Sequence, residues 1–114
     1  DPMTHVLLVA PDSDLRKSVE FALQAEGYDV TSCASIGARE RPRYDCTIVD
    51  HHALGNNQRF AADFCRIFRP VILLANLVPH PLSPFAYRTV MKPLLGAALT
   101  DAIHDAIGHR AATT

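Results

Sequence analysis

The stretch "YDCTIVDHHAL", residues 44–54, joins an apolar run to a carboxylate and two adjacent histidines. The run before the carboxylate is almost continuously apolar, which is typical of a strand buried on both faces of a parallel sheet. Asp50 stands at the end of that strand. Three interpretations are open for it: a nucleophile, a metal ligand that works with His51 and His52, or the polar end of a buried strand.

Four other short apolar runs repeat this pattern along the chain. They are "VLLVA" at residues 6–10, "YDVTSCA" at 28–34, "PVILLAN" at 70–76 and "RTVMK" at 88–92. Five such strands separated by helical or irregular segments predict right-handed βαβ units, and therefore an α/β fold with a doubly wound parallel sheet.

The carboxyl ends of the strands are where open α/β sheets collect ligands and chemistry. In this chain those positions are held by Pro11, Asp12, Asp50, Ala75, Asn76 and Lys92. Because the ends of parallel strands share one edge of the sheet, we expect Asp50 and Lys92 to meet.

Two connections between the strands carry a helical pattern of apolar residues. The first helix has a capping residue at Asp12 or Ser13, and Gly27 suits the left-handed position beyond its end. The second helix is predicted from about residue 58 to residue 68. The face that it packs on the sheet is predicted to be a stripe of Phe60, Phe64, Ile67 and Phe68.

The other connections are predicted to be loops, except for a helix at the end of the chain. Residues 35–45 are a short polar connection whose three arginines form a solvated surface, and residues 51–57 form a loop. Three prolines argue against a regular helix between residues 77 and 87. The last helix is predicted to cover residues 95–108 and to end at Gly108.

The composition is that of one soluble globular domain. Of 114 residues, 48% are hydrophobic and 20% are charged, and the net charge is −1. This balance gives no reason to expect a nucleic acid or an acidic membrane as a partner, and no run is long enough to span a bilayer. Cys33, Cys46 and Cys65 are odd in number and lie in apolar contexts, so we expect reduced thiols in a cytoplasmic protein.

The domain is predicted to cover residues 3–109. Asp1 and Pro2 ahead of Met3 have the character of a cloning scar, so Met3 is interpreted as the native start. Residues 110–114 are interpreted as a flexible tail or as the start of a linker.

The motifs at the strand ends resemble those of the receiver domain of two-component response regulators. The resemblance covers residues 5–108 and rests on "LLV" leading into "DLRKS", on "AEGYDV", on "YDCTIVD" and on "MKP". It implies the CheY-like, flavodoxin-like strand order 2-1-3-4-5. In this chain the second and fourth helices of that fold are expected to be shortened or lost.

The resemblance also implies roles for two residues at the strand ends. Asp50 lies where the family has its phosphoacceptor aspartate, and Lys92, followed by Pro93, lies where the family has a phosphate-binding lysine. A carboxylate can attack a phosphoryl group to give an acyl phosphate, and an ammonium group neutralises the transferred charge.

Four positions depart from the family's pattern. They are Ala10 and Pro11 in place of the acidic pair that holds Mg²⁺, Ala75 in place of a Ser or Thr that bonds the phosphate, and Thr89 in place of an aromatic switch residue. With the acidic pair gone, one carboxylate and one ammonium balance each other without a metal ion. We therefore predict an Asp50–Lys92 ion pair and weak or no Mg²⁺ binding, with Asp12 as the alternative metal ligand, and no other cofactor.

The neighbouring polar residues have structural explanations. Asp12 lies at a helix start, where capping accounts for it. Successive side chains of a strand end point in opposite directions, so His51 and His52 are interpreted as surface or loop-packing residues and not as ligands of one ion. His80 and the other histidines are scattered along the chain.

The favoured hypothesis is an atypical, pseudo-receiver-like domain that acts as a protein-interaction module in two-component, or phosphorelay, signalling. It would be no enzyme, would keep Asp50 as a structural residue, and would dock a histidine kinase, an attached output domain or a second copy of itself. The docking face would combine the 77–87 loop, the fifth strand and the last helix. Its apolar contact residues would be Leu77, Val78, Leu82, Phe85 and Tyr87.

Two alternative functions remain. In the first, Asp50 is a working phosphoacceptor that takes a phosphoryl group from a phosphohistidine of a kinase. In the second, the chain is a small nucleotide- or flavin-binding protein of the same architecture. The second is weaker, because no glycine-rich phosphate loop follows the first strand.

Overall fold

The computed structural model describes residues 4–36, 44–77, 80–92 and 97–112, with side chains up to residue 108. Its five strands form one sheet in which every neighbouring pair is parallel. The strands are β1 (His5–Val9), β2 (Asp29–Cys33), β3 (Cys46–Asp50), β4 (Val71–Ala75) and β5 (Arg88–Met91). Their order, β2-β1-β3-β4-β5, confirms the predicted doubly wound fold.

Several predictions lie outside the described ranges. These are the start at Asp1, Pro2 and Met3, the loop arginines Arg39, Arg41 and Arg43, the surface residue Val78, the residues 95–96 at the start of the last helix, and the side chains of the 110–114 tail.

Four α-helices lie among the described residues. They are α1 (Ser13–Ala25), α2 (His51–Leu54), α3 (Gln58–Ile67) and α4 (Ala98–Ala112). Between β4 and β5 the described residues contain only one turn of 3₁₀ helix, Ser83–Phe85, which agrees with the predicted loss of a regular helix there. Between β2 and β3, residues 34–36 and 44–45 are not helical.

Alternate residues of each strand point to opposite faces of the sheet, and each face has its own core. On β1, Val6 and Leu8 join the core under α1 and α4. Leu7 and Val9 join the core under α3. Because both faces are covered, β1, β3 and β4 are buried along nearly their whole length, as their continuous apolar sequences predict.

The face of α3 that packs on the sheet differs from the predicted stripe. Ala61, Phe64 and Cys65 are buried, whereas Phe60 and Ile67 are exposed. The two small residues let the helix approach the sheet closely, and this turns the flanking larger side chains away from the core. Phe68 is half-buried against the same core, so the prediction was right for Phe64 and Phe68 and wrong for Phe60 and Ile67.

The helix α4 runs past its predicted end. Gly108 lies inside α4, and the helix continues to Ala112, into the predicted tail. Among the described glycines only Gly27 and Gly55 have positive φ angles, of 95° and 64°. Gly108 does not adopt the left-handed conformation that would make it a terminator.

The three cysteines are free thiols, as expected. Cys46 and Cys65 are buried and Cys33 is half-buried. Burial raises the pKa of Cys46 to about 12 and that of Cys65 to about 11, so both stay protonated and unreactive at neutral pH. Among the described residues no helix has the length and the apolar character that a membrane span requires.

Candidate functional site

Asp50 is the last residue of β3 and also the N-cap of α2. It is 1% exposed, and on β4 it lies opposite Leu74. On the other side, Val9 of β1 lies opposite Val49, so the next residue, Ala10, follows beside Asp50. A charged carboxylate is therefore buried at the central strand end of the sheet, where it requires compensation by neighbouring groups.

Lys92 supplies the first part of that compensation. Its Nζ atom lies 2.6 Å from Oδ1 of Asp50, and its side chain is only 16% exposed. The Lys92 backbone N–H donates to the carbonyl of Ala75 at 2.8 Å, which continues the β5 ladder by one residue and fixes where the side chain starts. The predicted Asp50–Lys92 ion pair is confirmed.

His52 supplies the second part. The backbone N–H of His52 donates to Oδ2 of Asp50 at 3.2 Å, and the ring atom Nδ1 lies 2.8 Å from the same oxygen. Since an ionised carboxylate can only accept, Nδ1 carries the proton in this contact. Burial by itself raises the pKa of Asp50, but the hydrogen bonds from Lys92 and His52 outweigh it, so the pKa lies below the ordinary value of an aspartate.

This lowered pKa predicts a pH dependence of stability. The folded-state pKa of Asp50 lies below its unfolded-state value, so the contribution is present above about pH 4 and is lost as the pH falls through the folded-state pKa. The groups that face the carboxylate are Lys92 and His52, and the His51 ring lies within reach of the carboxylate's charge. We expect the free energy of unfolding in urea to fall less steeply below pH 4 in Asp50→Asn than in the wild type.

The matched control for this pH experiment is Asp63→Asn, since Asp63 is an exposed carboxylate paired with Arg66 on α3. It should keep the wild-type slope, because an exposed ion pair contributes little. Equal slopes in the wild type and in Asp50→Asn would contradict the prediction.

Three histidine rings form a cluster beside this carboxylate. The ring centroids of His51 and His52 are 3.9 Å apart, and those of His51 and His80 are 4.8 Å apart. The predicted loop after β3 is in fact the one-turn helix α2, so adjacent side chains converge instead of pointing in opposite directions. The argument from strand geometry against a shared ligand set was therefore wrong. His80 lies far from the other two in the sequence but packs against His51.

His51 is a half-buried member of this cluster. Its Nε2 atom is inaccessible to solvent. This atom forms no hydrogen bond with any described residue. Burial lowers the pKa of His51, and the neighbouring charges of His52, Lys92 and His80 lower it further, against the opposing effect of Asp50. The ring is therefore neutral at neutral pH.

A short chain of hydrogen bonds fixes His80 to the edge of the sheet. The His80 backbone N–H and the Thr89 hydroxyl both donate to the hydroxyl of Ser83, each at 2.9 Å. The Leu82 N–H donates to Nδ1 of His80 at 3.1 Å. The loop between β4 and β5 is thus tied to β5 on one side and to the histidine cluster on the other.

Solved structures share this fold over its whole length. A crystal structure of a response regulator receiver domain protein from Clostridium thermocellum superposes with a TM-score of 0.82, covers 98% of this chain and 100% of that chain, and is 19% identical. The signal receiver domain of an HD domain-containing protein from Pseudomonas fluorescens Pf-5 gives 0.76 at 18% identity, over 97% and 99% of the two chains. At sequence identities of 19% and 18%, this structural similarity establishes the fold alone.

A curated relative decides the family. No family model matches the sequence. The transcriptional regulator protein FixT of Rhizobium meliloti (strain 1021) is 36% identical over 106 residues, which are 90% of this chain and 91% of the relative. The chain belongs to the receiver family of response regulators.

In this receiver an arginine lies at the end of β1, where the family's acidic pair is missing. Nη1 of Arg16, from the first turn of α1, donates to the carbonyl of Ala10 at 2.7 Å and to that of Pro11 at 3.5 Å. Asp12 caps α1 by accepting from the Asp14 N–H at 3.0 Å, as predicted. An octahedral Mg²⁺ needs oxygen ligands, but here the two carbonyl oxygens accept from this guanidinium and the Asp12 carboxylate caps α1. The donor set at this edge of the receiver does not fit the ion.

The predicted contact residues of the receiver are only partly at its surface. Leu77 is 54% exposed and Tyr87 is also exposed, but Leu82 is buried in the core under α3 and Phe85 is half-buried against it. Leu82 is therefore removed from the candidate surface. Met91, which sequence reasoning missed, is 51% exposed at the end of the edge strand β5.

Proposed function

We propose that this receiver acts as a protein-interaction module in two-component signalling and that Asp50 serves its structure and not phosphoryl transfer. The observation that supports this is the occupation of both carboxylate oxygens of Asp50. Oδ1 is bound by Lys92 and Oδ2 by His52. An in-line attack on a phosphoryl group needs a carboxylate oxygen with a free lone pair aimed at phosphorus. Oδ2 accepts twice from His52, so attack from Oδ2 would first have to break one of these contacts, and the lone pair that Oδ1 keeps lies beside the ammonium of Lys92.

The surroundings of Asp50 support the same proposal. Ala10 and Ala75, which flank it on neighbouring strands, are buried and carry no side-chain oxygen. Arg16 places a positive charge on the carbonyls at the end of β1. Transferred phosphoryl groups are normally neutralised by a bridging Mg²⁺, and this edge would have to work without one. We therefore expect the domain to be no enzyme and to need no Mg²⁺.

The docking face proposed for this module lies at the β5 edge of the sheet. Leu77 and Met91 are the exposed apolar residues at its carboxyl end, and Tyr87 is exposed at its other end. Arg88 forms an ion pair with Asp105 of α4, which joins the strand to the last helix. Clustered apolar residues with charged neighbours are typical of a protein-binding surface. A histidine kinase, an output domain or a second copy of the chain fits it.

The named relative is consistent with a regulatory role. It is called a transcriptional regulator, and the match covers 91% of its length. A net charge of −1 does not suit direct binding of DNA. We therefore propose that this receiver regulates by binding other proteins in the cytoplasm, and its free thiols support that location.

Beryllofluoride, a phosphoryl mimic, tests this proposal when it is added with Mg²⁺ to the isotope-labelled protein. We expect the amide resonances of Asp50, Ala75 and Lys92 to stay within their titration error at 10-fold excess, because neither the ion nor the mimic has its ligands. Shifts that spread through these three residues and vanish in Asp50→Asn would show a working phosphoacceptor. That alternative has its own support, since Lys92 lies 2.6 Å from Asp50, where it could hold a transferred phosphate.

A further inference from the structure

We propose that Asp50, His51 and His52 form a binding site for a divalent transition-metal ion such as Zn²⁺. Each of the three residues offers one ligand atom, and these atoms all lie within 4.8 Å of one another. Two imidazole nitrogens and one carboxylate oxygen are an accepted ligand set for zinc. This inference stands apart from the proposed function, because it concerns a different class of ion and a different set of ligands.

The local backbone explains why three consecutive residues can share one ion. Asp50 is the N-cap of α2, and His51 and His52 occupy the first turn of that helix. The His51 and His52 rings lie with centroids 3.9 Å apart and an interplanar angle of 36°. A tetrahedral ion with bonds of about 2.0 to 2.2 Å needs ligand atoms roughly 3.4 Å apart. The His52 side chain is 59% exposed, which leaves it room to rotate toward this geometry.

An unpaired buried atom points to a ligand at this place. Nε2 of His51 is buried and makes no hydrogen bond to any described residue. A buried polar atom without a partner destabilises the fold by about 1 to 3 kcal/mol, and most such atoms in native proteins are satisfied. A metal ion bound at this nitrogen would satisfy it, whereas the exposed side of the site, at His52, leaves room for water as a further ligand.

The same geometry sets the limits of the site. Oδ1 of Asp50 is held by Lys92, and Oδ2 accepts from the backbone N–H and the ring of His52. Oδ2 therefore either orients the His52 ring as its acceptor or becomes a ligand once the ring contact is given up. The ammonium of Lys92 repels a dication and weakens its binding. His80 is not a ligand, because its Nδ1 accepts from the Leu82 N–H and its remaining ring nitrogen therefore carries the proton.

The ligand types predict which ions bind. Imidazole nitrogens suit Zn²⁺, Ni²⁺ and Cu²⁺, whereas Mg²⁺ prefers an octahedral shell of oxygens. An ion bound here would cover Oδ2 of Asp50. It would also contact His51, whose ring packs against His80 of the β4–β5 loop. The site would thus connect metal binding to the loop that borders the proposed docking face.

Calorimetric titration of the tag-free, EDTA-treated protein with ZnCl₂ tests the proposal. We expect one ion per chain, unaffected by millimolar Mg²⁺, and an affinity at least about 10-fold lower in His51→Gln and in His52→Gln. His104→Gln is the matched control: His104 is an exposed histidine that packs on Tyr28, at the opposite end of the strands. It should bind zinc as the wild type does.

Circular dichroism of each variant shows whether it is folded, and in His52→Gln the glutamine amide keeps a donor that can replace the ring N–H facing Asp50. Imidazole nitrogen shifts of His51 and His52 on adding zinc are the second readout, and they should be larger than that of His104. Zinc binding that is absent, that is displaced by millimolar Mg²⁺, or that is unchanged in both His51→Gln and His52→Gln would overturn the proposal.

Discussion

Lys92→Met is expected to lower the free energy of unfolding by about 3 kcal/mol, since removing one partner of a buried ion pair leaves the other charge without compensation. The charge left behind is Asp50, which is almost fully buried. His52 still donates to Oδ2, but Oδ1 loses its 2.6 Å contact with Lys92. Urea unfolding at pH 7 measures the loss. Methionine retains most of the length of the lysine side chain, so lost packing contributes little.

Two further variants decide whether the charge is the cause. Lys17→Met removes an exposed lysine of α1 and should change the stability by less than about 0.5 kcal/mol. Adding Asp50→Asn to Lys92→Met should restore most of the lost stability, because no uncompensated charge then remains. If Lys92→Met and Lys17→Met have the same effect, the Asp50–Lys92 pair contributes nothing to stability.

Ala10→Asp is expected to make the stability depend on Mg²⁺. Ala10 follows β1 beside Asp50 and is fully buried. A second carboxylate there would share one ammonium with the first, and in the absence of metal we expect a loss on the order of 3 kcal/mol. A bound Mg²⁺ would draw the two carboxylates together, and at 100 times its dissociation constant it would return about 2.7 kcal/mol.

Thermal unfolding with and without MgCl₂ measures this effect. Ala10→Asn has the same size without the charge, so it should be destabilised but should show no response to Mg²⁺. Pro11→Asp, at an exposed position, tests the same idea with less risk to folding and should give a smaller response. A wild-type response to Mg²⁺ as large as that of Ala10→Asp would contradict the view that the missing acids matter.

The sequence alone was sufficient to predict the sheet and the ion pair between Asp50 and Lys92. Continuous apolar runs mark strands covered on both faces, and the rule that ligands gather at strand ends brings Asp50 and Lys92 together although they are 42 residues apart. The helix α1 was also predictable, because Asp12 and Gly27 are local signals at its two ends.

The histidine cluster could not be predicted in the same way. The cluster forms because a helix begins directly after β3, at His51. Asp50 favours this helix by capping α2 with its own side chain. His80 reaches the cluster through a proline-rich loop whose path is set by Ser83 and Thr89, and no periodicity records that path. A serine three residues after a histidine is the only local signal, and it is weak.

The prediction of which face of α3 is buried failed for a related reason. Counting apolar residues favours the large side chains, whereas close packing on a sheet favours small ones such as Ala61 and Cys65. The helical period was right, but the direction in which the helix faces the sheet depends on the shape of the surface below it, which the sequence of one element does not contain.

The guanidinium of Arg16 gives this receiver a permanent positive charge at the end of β1. A metal ion is exchanged with solvent, so its occupancy follows concentration and can be removed by a chelator. Arg16 is covalently part of α1 and stays charged at every physiological pH. The carbonyls of Ala10 and Pro11 are therefore held whatever the supply of Mg²⁺ in the cell. The end of β1 in this receiver is therefore held by a side chain of the protein itself and not by an exchangeable ion.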